Sequence, residues 1–204
     1  SGCDSVLIST NAIANGSYSW TTSNILNAGL SPSIGDFYQG GVVFWIDPND
    51  STTGLVSDIN DHGIHQWGCY SSSGATGVSI GSGVGNTYQM IAGCAVGSSG
   101  AALVCYNSTS QGYTDWFLPS KDELNQMYIM RNIINSVSTN HGGGSLDGDG
   151  HWSSTESNAD FAWRHKFNNN SQSTQSKSYG QYVRPIREYL YSATINIDTT
   201  NIVM

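Results

Sequence analysis

The apolar positions of this chain change their spacing along its length, giving a strand-like start, a helical middle and a strand-like end. Residues 1–35 hold only scattered apolar positions (Val6, Leu7, Ile8, Trp20, Ile25, Leu30) and read as a strand or two, or as a connector. The pattern sharpens at Gly40. The β-branched and aromatic run from Gly40 to Asp47 predicts a buried strand, ended by the turn cluster Asp47-Pro48-Asn49-Asp50. Gly54–Ile59 then returns as the second strand of a hairpin. From Ser71 to Gly85 the residues are nearly all Gly, Ser or other small types, which predicts a surface loop.

Two helical segments follow. Asn86-Thr87 supplies a cap for a helix with Tyr88, Ile91, Ala92 and Ala95 on one face. The stronger signal starts at Pro119, where Ser120 and Glu123 have the spacing of a capping box. Leu124, Met127, Tyr128, Ile134 and Val137 continue it at helical spacing until Gly142-Gly143-Gly144. Beyond the loop at 145–150 the period falls to two. Phe161, Trp163, His165 and Phe167 share one strand face, and Ala162, Arg164 and Lys166 the other. Residues 181–191 form another strand candidate, but Pro185 cannot donate to a ladder, which predicts an edge strand or a bulge. The tail from Ser192 alternates weakly, as a further strand or the approach to another domain. Strands, then helices, then strands imply an α+β domain: small antiparallel sheets, two helices and long Gly/Ser-rich loops.

Composition narrows the function. Charged residues make up 11% of the 204 positions, and Gly, Ser, Asn and Thr take their place, so the surface bonds mainly through uncharged groups. A net charge of -8 disfavours nucleic acid and polybasic contact with a membrane, and no apolar run is long enough to span one. The chain opens at Ser1-Gly2-Cys3 without a leader, which reads as a processed mature chain or a piece of a longer one. Cys3, Cys69, Cys94 and Cys105 include no Cys-x-x-Cys pair, which excludes a zinc ribbon or thioredoxin motif. Disulfides are the preferred reading, with three connectivities open. Cys94 with Cys105 closes a short loop and leaves Cys3 for Cys69; free buried thiols are the alternative.

Several short motifs occur in a fixed order: Trp67-Gly68-Cys69-Tyr70, the Asn86-Thr87 helix start, the run 112–128, His151–Ser157, Phe161-Ala162-Trp163 and Tyr182–Glu188. In that order they resemble the bacterial family named after the C-terminal domain of the Legionella collagen-like adhesin (Lcl). That family is similar in turn to the variable proteins of diversity-generating retroelements. The resemblance covers residues 36–188, leaving 1–35 as an extension or connector and 189–204 as a C-terminal strand or linker. It implies a C-type-lectin-like fold, display on a bacterial surface, filament or phage virion, and ligand binding without catalysis. It also implies that the C-terminal strands and their loop face the ligand. The candidates there are Trp163, Arg164, His165, Asn168, Asn169, Asn170, Gln172, Ser178 and Tyr179. Asn, Ser and Tyr with an occasional Arg are also the residues of adaptable paratopes.

The partner expected on this reading is a cell-surface glycan or protein receptor. Self-assembly through the terminal segments is the second reading, as in a subunit of a filament, fibre or virion. An anionic polymer would have to rely on a local cluster of Arg164, His165, Lys166 and Lys177. Trp116 and Trp152 read as core, whereas Trp163 is open to either role. Arg184 and Arg187 are expected to pair with buried carboxylates such as Glu123 or Glu156. Calcium is the one cofactor considered, because Asp147-Gly148-Asp149-Gly150 and Glu156 resemble a calcium loop. They lack its third ligand position and its spacing, so a plain glycine-rich loop is preferred and no metal is expected.

Enzymatic readings fare worse. Gly77-Val78-Ser79-Ile80-Gly81 matches a nucleophile elbow in letters but sits in a Gly/Ser loop. His62 and His65 have metal-ligand spacing without a third partner. Formylglycine-generating enzymes share a related fold, but their chemistry needs a late cysteine pair, and no cysteine follows Cys105.

Overall fold

The computed structural model describes residues 31–94, 100–146, 148 and 150–192; Cys3, Asp147, Asp149 and the tail beyond Ser192 lie outside this set. The run beginning at Gly40 forms the expected hairpin. Strand β2 (Gly41–Ile46) pairs antiparallel with β3 (Thr53–Ser57), and a bulge at Phe44 shifts the register between Val43 and Trp45. Short β1 (Phe37–Tyr38) and late β9 (Ile186–Leu190) complete one sheet in the order β1-β2-β3-β9. The second sheet joins β4 (Ile64–His65), β5 (Gly150–Glu156), β6 (Phe161–Lys166), β7 (Ser171–Ser176) and β8 (Gln181–Tyr182) in the order β4-β8-β5-β6-β7. The described residues are therefore α+β.

Pro185 lies in neither sheet. It sits between β8 and β9, where the chain passes from the second sheet to the first, and its carbonyl accepts the Asp58 N–H at 2.9 Å. The missing donor thus costs no ladder bond.

The helical middle differs from its sequence reading in three ways. Helix α1 (Gly83–Gly93) starts one turn early and buries Gly83, Asn86, Thr87 and Met90, while Tyr88 points out at 56% exposure. Polar bonding sets that face. The Asn86 side chain bonds both the N–H and the carbonyl of Gly77, and the Thr87 hydroxyl accepts the Leu118 N–H. A short helix, α2 (Ala101–Tyr106), was too brief to show a period. The capping box forms as predicted, with Ser120 and Glu123 satisfying each other's backbone N–H groups. However, the single predicted helix is two, α3 (Lys121–Ile129) and α4 (Arg131–Asn140), broken at Met130.

Among the described residues, three apolar clusters hold the fold. Val42, Phe44 and Leu55 of the first sheet pack against Leu124, Met127 and Ile134 of α3 and α4. Trp67, Met90, Ala101, Leu118, Trp152 and Ala162 form a second cluster at α1 and α2. Val43, Val56, Trp116 and Tyr189 form the third. Trp116 and Trp152 are core residues, as expected. Tyr189 is core too, so the compact unit Ser31–Ser192 runs past residue 188.

The cysteine pairing is corrected. Cys69 is bonded to Cys94, whose Cα atoms lie 5.3 Å apart, and Cys105 is a free thiol buried in the second cluster. Helix α2 turns Cys105 into the core, whereas the end of α1 meets Cys69. The buried cations also choose other partners than expected. Arg184 bonds Asp61 at 2.8 Å and the carbonyls of Asp58 and Gly144. Arg187 grips both oxygens of Asp115, at 2.6 and 2.7 Å. Glu156 pairs with Lys177, while Glu123 accepts backbone donors from Ser120, Gly81 and Gly83.

Candidate ligand-binding surface

Cross-strand pairing sorts the second sheet into two faces, because directly opposed residues point the same way. One face carries Trp163, His165, His151, Tyr182, Gln172 and Thr174. It packs towards α3. The His165 ring is fully buried, stacked on Tyr128 at 4.7 Å and on Phe167 at 5.3 Å, and its Nε2 lies 3.1 Å from Asn170 Oδ1. Burial holds its pKa below the usual value; the Asn170 bond opposes this, and the His151 and Arg131 charges reinforce it. Gln172 donates to the Lys121 carbonyl at 3.0 Å, and the Lys121 ammonium lies 3.8 Å above the half-buried Trp163 ring.

The opposite face is split. At one end Trp152 and Ala162 are fully buried beneath the second cluster, with the Trp152 indole donating to the His65 carbonyl. At the other end Gly150, Arg164, Lys166, Ser171 and Ser173 run across β5, β6 and β7, with Gln181 and His65 beyond on β8 and β4. No apolar cluster includes them. Gly150 makes this end possible. A Cβ there would run into Gln181 Oε1 and lie 2.9 Å from Arg164 Cδ, so only glycine lets these side chains lie across β5. Arg164 then donates to Gln181 at 3.0 Å, and its Nε has no partner among the described residues.

The cations explain why this end stands out. Lys177, Arg184 and Arg187 are buried in ion pairs, and Arg131 and Lys121 lie over aromatic rings. Among the described residues, Arg164 and Lys166 have no carboxylate partner. They are also the two cations of the open polar face.

The sequence-predicted residues do not converge. Asn168 and Asn169 are exposed in the β6–β7 turn, while Asn170, in the left-handed region at φ 56°, turns back to His165. Ser178 and Tyr179 lie beyond the other end of β7, about 20 Å away along a six-residue strand. Ser178 bonds Ser176, and Tyr179 is 60% exposed. Arg164 alone reaches the open end of the polar face. His165 has no surface to offer a ligand, and neither has Lys177, so the expected cationic cluster reduces to Arg164 and Lys166.

Sequence reading missed Gly150, Gln181 and Ser173. The period-two pattern did pair Arg164 with Lys166, but Gln181 and Gly150 join them only through the register of β8, β5 and β6.

The other candidate chemistries are occupied or incomplete. Glu156, the last position of the calcium-like loop, accepts from Lys177, Ser72, Ser73 and Gly74. His62 Nε2 bonds Asp58 and His65 Nε2 bonds the His62 carbonyl, each at 2.8 Å. Residues 72–78, ahead of Ser79, form no strand.

Together these features define an α+β domain of two antiparallel-rich sheets that leaves one end of a polar strand face open. The family model of the Lcl C-terminal domain matches residues 49–187, and the chain belongs to that family. No curated protein matches it.

Proposed function

We propose that this domain is an extracellular ligand-binding or adhesion module with a C-type-lectin-like arrangement of its sheets. It engages a cell-surface glycan or protein receptor on the open polar end of the β4-β8-β5-β6-β7 sheet. The observation that carries this reading is Arg164, laid across Gly150 beside Lys166 and Gln181, in a chain whose other described cations are committed to carboxylates or rings. A half-buried guanidinium held in place loses little freedom on binding, and it presents planar donors to a carboxylate, sulfate or carbonyl. Ser171, Ser173 and the exposed Asn168 and Asn169 supply neutral hydrogen-bonding groups. Membership of the Lcl C-terminal domain family supports a surface-associated role, and the Cys69–Cys94 disulfide suits an oxidising compartment. The reading assigns no covalent step and no metal.

The test is a glycan-array and cell-surface binding screen of the chain in multivalent form, beside the double variant Arg164→Ser/Lys166→Ser. The variant is expected to fold normally and lose binding. Binding that survives in a folded variant refutes this surface, and no binding by either form refutes the adhesion reading.

A further inference from the structure

Among the described residues, three of the four sheet edges are blunted. Strands β1 and β4 are two residues long, and β9 is covered at Ile186 by a bridge to Phe117, while Gln39 donates to the Leu190 carbonyl. Strand β7 is different. It is six residues long, reads Ser-Gln-Ser-Thr-Gln-Ser, and pairs with β6 in unbroken register. It has no charge, no proline and no bulge, the devices that keep a bare edge from pairing.

The ladder phase shows which groups are free. Lys177 N–H donates to the Asp160 carbonyl, so this opposed pair is hydrogen-bonded, and alternation makes Ala162–Gln175, Arg164–Ser173 and Lys166–Ser171 hydrogen-bonded too. The backbones of Gln172, Thr174 and Ser176 therefore point away from β6. Among the described residues their N–H groups have no partner, and only the Ser176 carbonyl is engaged, by the Tyr179 N–H at 3.0 Å. That carbonyl keeps a second lone pair.

We propose that this edge pairs antiparallel with β7 of a second copy of the chain, about a two-fold axis through Thr174. An antiparallel pair must oppose outward residues with outward residues. Only a centre at Thr174 uses all three: Thr174 faces its own counterpart, and Gln172 faces Ser176 of the partner subunit in both directions. Each opposed pair exchanges two backbone bonds. The side chains agree, as Thr meets Thr, Gln meets Ser, and Ser173 meets the partner's Gln175, with no like charges opposed. The self-match favours a second copy over an unrelated extended peptide. The axis stands perpendicular to the sheet, so the two polar faces lie side by side and the Arg164–Lys166 ends of both copies join one surface. The pairing itself does not depend on the adhesion reading. A few edge bonds make a weak dimer, one that multivalent display would reinforce.

Sedimentation velocity of the full chain from micromolar to near-millimolar concentration tests this, with hydrogen exchange at Thr174 as a local readout. A concentration-dependent dimer with slowed Thr174 exchange is expected. Thr174→Pro removes an N–H that bonds nothing within the monomer, and Thr174→Lys sets two charges against each other on the axis. Both are expected to stay monomeric with the unfolding behaviour of the parent; if the proline variant misfolds, the lysine variant decides. Register is checked by oxidation. T174C is expected to cross-link two copies, since opposed Cα atoms lie about 5.5 Å apart in such a pair. S173C is expected not to. A chain that stays monomeric throughout, a dimer that survives in Thr174→Lys, or cross-linking by S173C in place of T174C would overturn the proposal.

Discussion

Glu156 and Lys177 form the most heavily buried ion pair of the described residues, with both side chains at 1% exposure or less, and removing one partner should not equal removing the other. The Glu156 carboxylate also accepts from the Ser72 hydroxyl and from the Ser73 and Gly74 N–H groups. The Lys177 ammonium has only the Ser71 carbonyl and, at 4.5 Å, the Trp67 ring. Lys177→Met therefore leaves a carboxylate that is still partly satisfied, at a cost of about 1–3 kcal/mol. Glu156→Ala leaves a buried ammonium with one carbonyl, at a cost of about 3–5 kcal/mol, and frees the 71–74 loop as well. Against a total stability of roughly 5–15 kcal/mol this is a large fraction. At about 2–4 °C per kcal/mol for a domain of this size, Glu156→Ala should lower the unfolding midpoint by roughly 10 °C. Urea titration followed by tryptophan fluorescence measures both, since Trp67 lies against Lys177. The double variant Glu156→Gln/Lys177→Met should recover much of the loss, because it buries no unpaired charge. Equal costs for the two single variants, or a Glu156→Ala cost below about 1 kcal/mol, would refute the argument.

Five further outcomes are expected. Burial raises the Glu156 carboxyl, but Lys177 and the Ser73 and Gly74 amides outweigh it and hold the group below its ordinary 4.5. The stability it contributes is then complete above that value and fades as pH falls through the depressed pKa, so Lys177→Met should flatten the acid limb of a stability–pH curve. His165 is held below its usual 6.5, chiefly by burial, so stability should decline as pH drops from that value towards its folded pKa, and His165→Phe should remove this slope. Replacing Cys94 by Ser opens a link across 25 residues and should cost about 3.5 kcal/mol by denaturant titration. Gly83→Ala meets the Leu118 carbonyl at 2.9 Å as well as Glu123 and Phe117, and should destabilise by about 2 kcal/mol or more. Gly150→Ala, in contrast, meets only side chains, Arg164 and Gln181; it should fold within about 1 kcal/mol of the parent while weakening ligand binding.

Local signals carried well where the physics is local. The hairpin at 41–57 follows from a β-branched run and a turn cluster, and the capping box from two side chains three residues apart. Both need only near neighbours. Helix α1 was misplaced because its buried face is polar, and Asn86 and Thr87 are buried to bond Gly77 and Leu118 rather than to start a helix. Alternation along 161–167 gave the two faces of β6 correctly. Which face lies open was not legible, since α3 covers the His165 side and the second apolar cluster covers only part of the other.

The sequence by itself determined an α+β domain, its family and its poverty in charge. Those properties depend on composition, local period and short motifs. The tertiary structure alone decided the disulfide partner, the ion pairs of Lys177, Arg184 and Arg187, and the meeting of Gly150, Arg164 and Gln181. Each of these joins residues far apart in the chain. A one-residue change of strand register would send every side chain to the opposite face, so no reading along the chain can place them together.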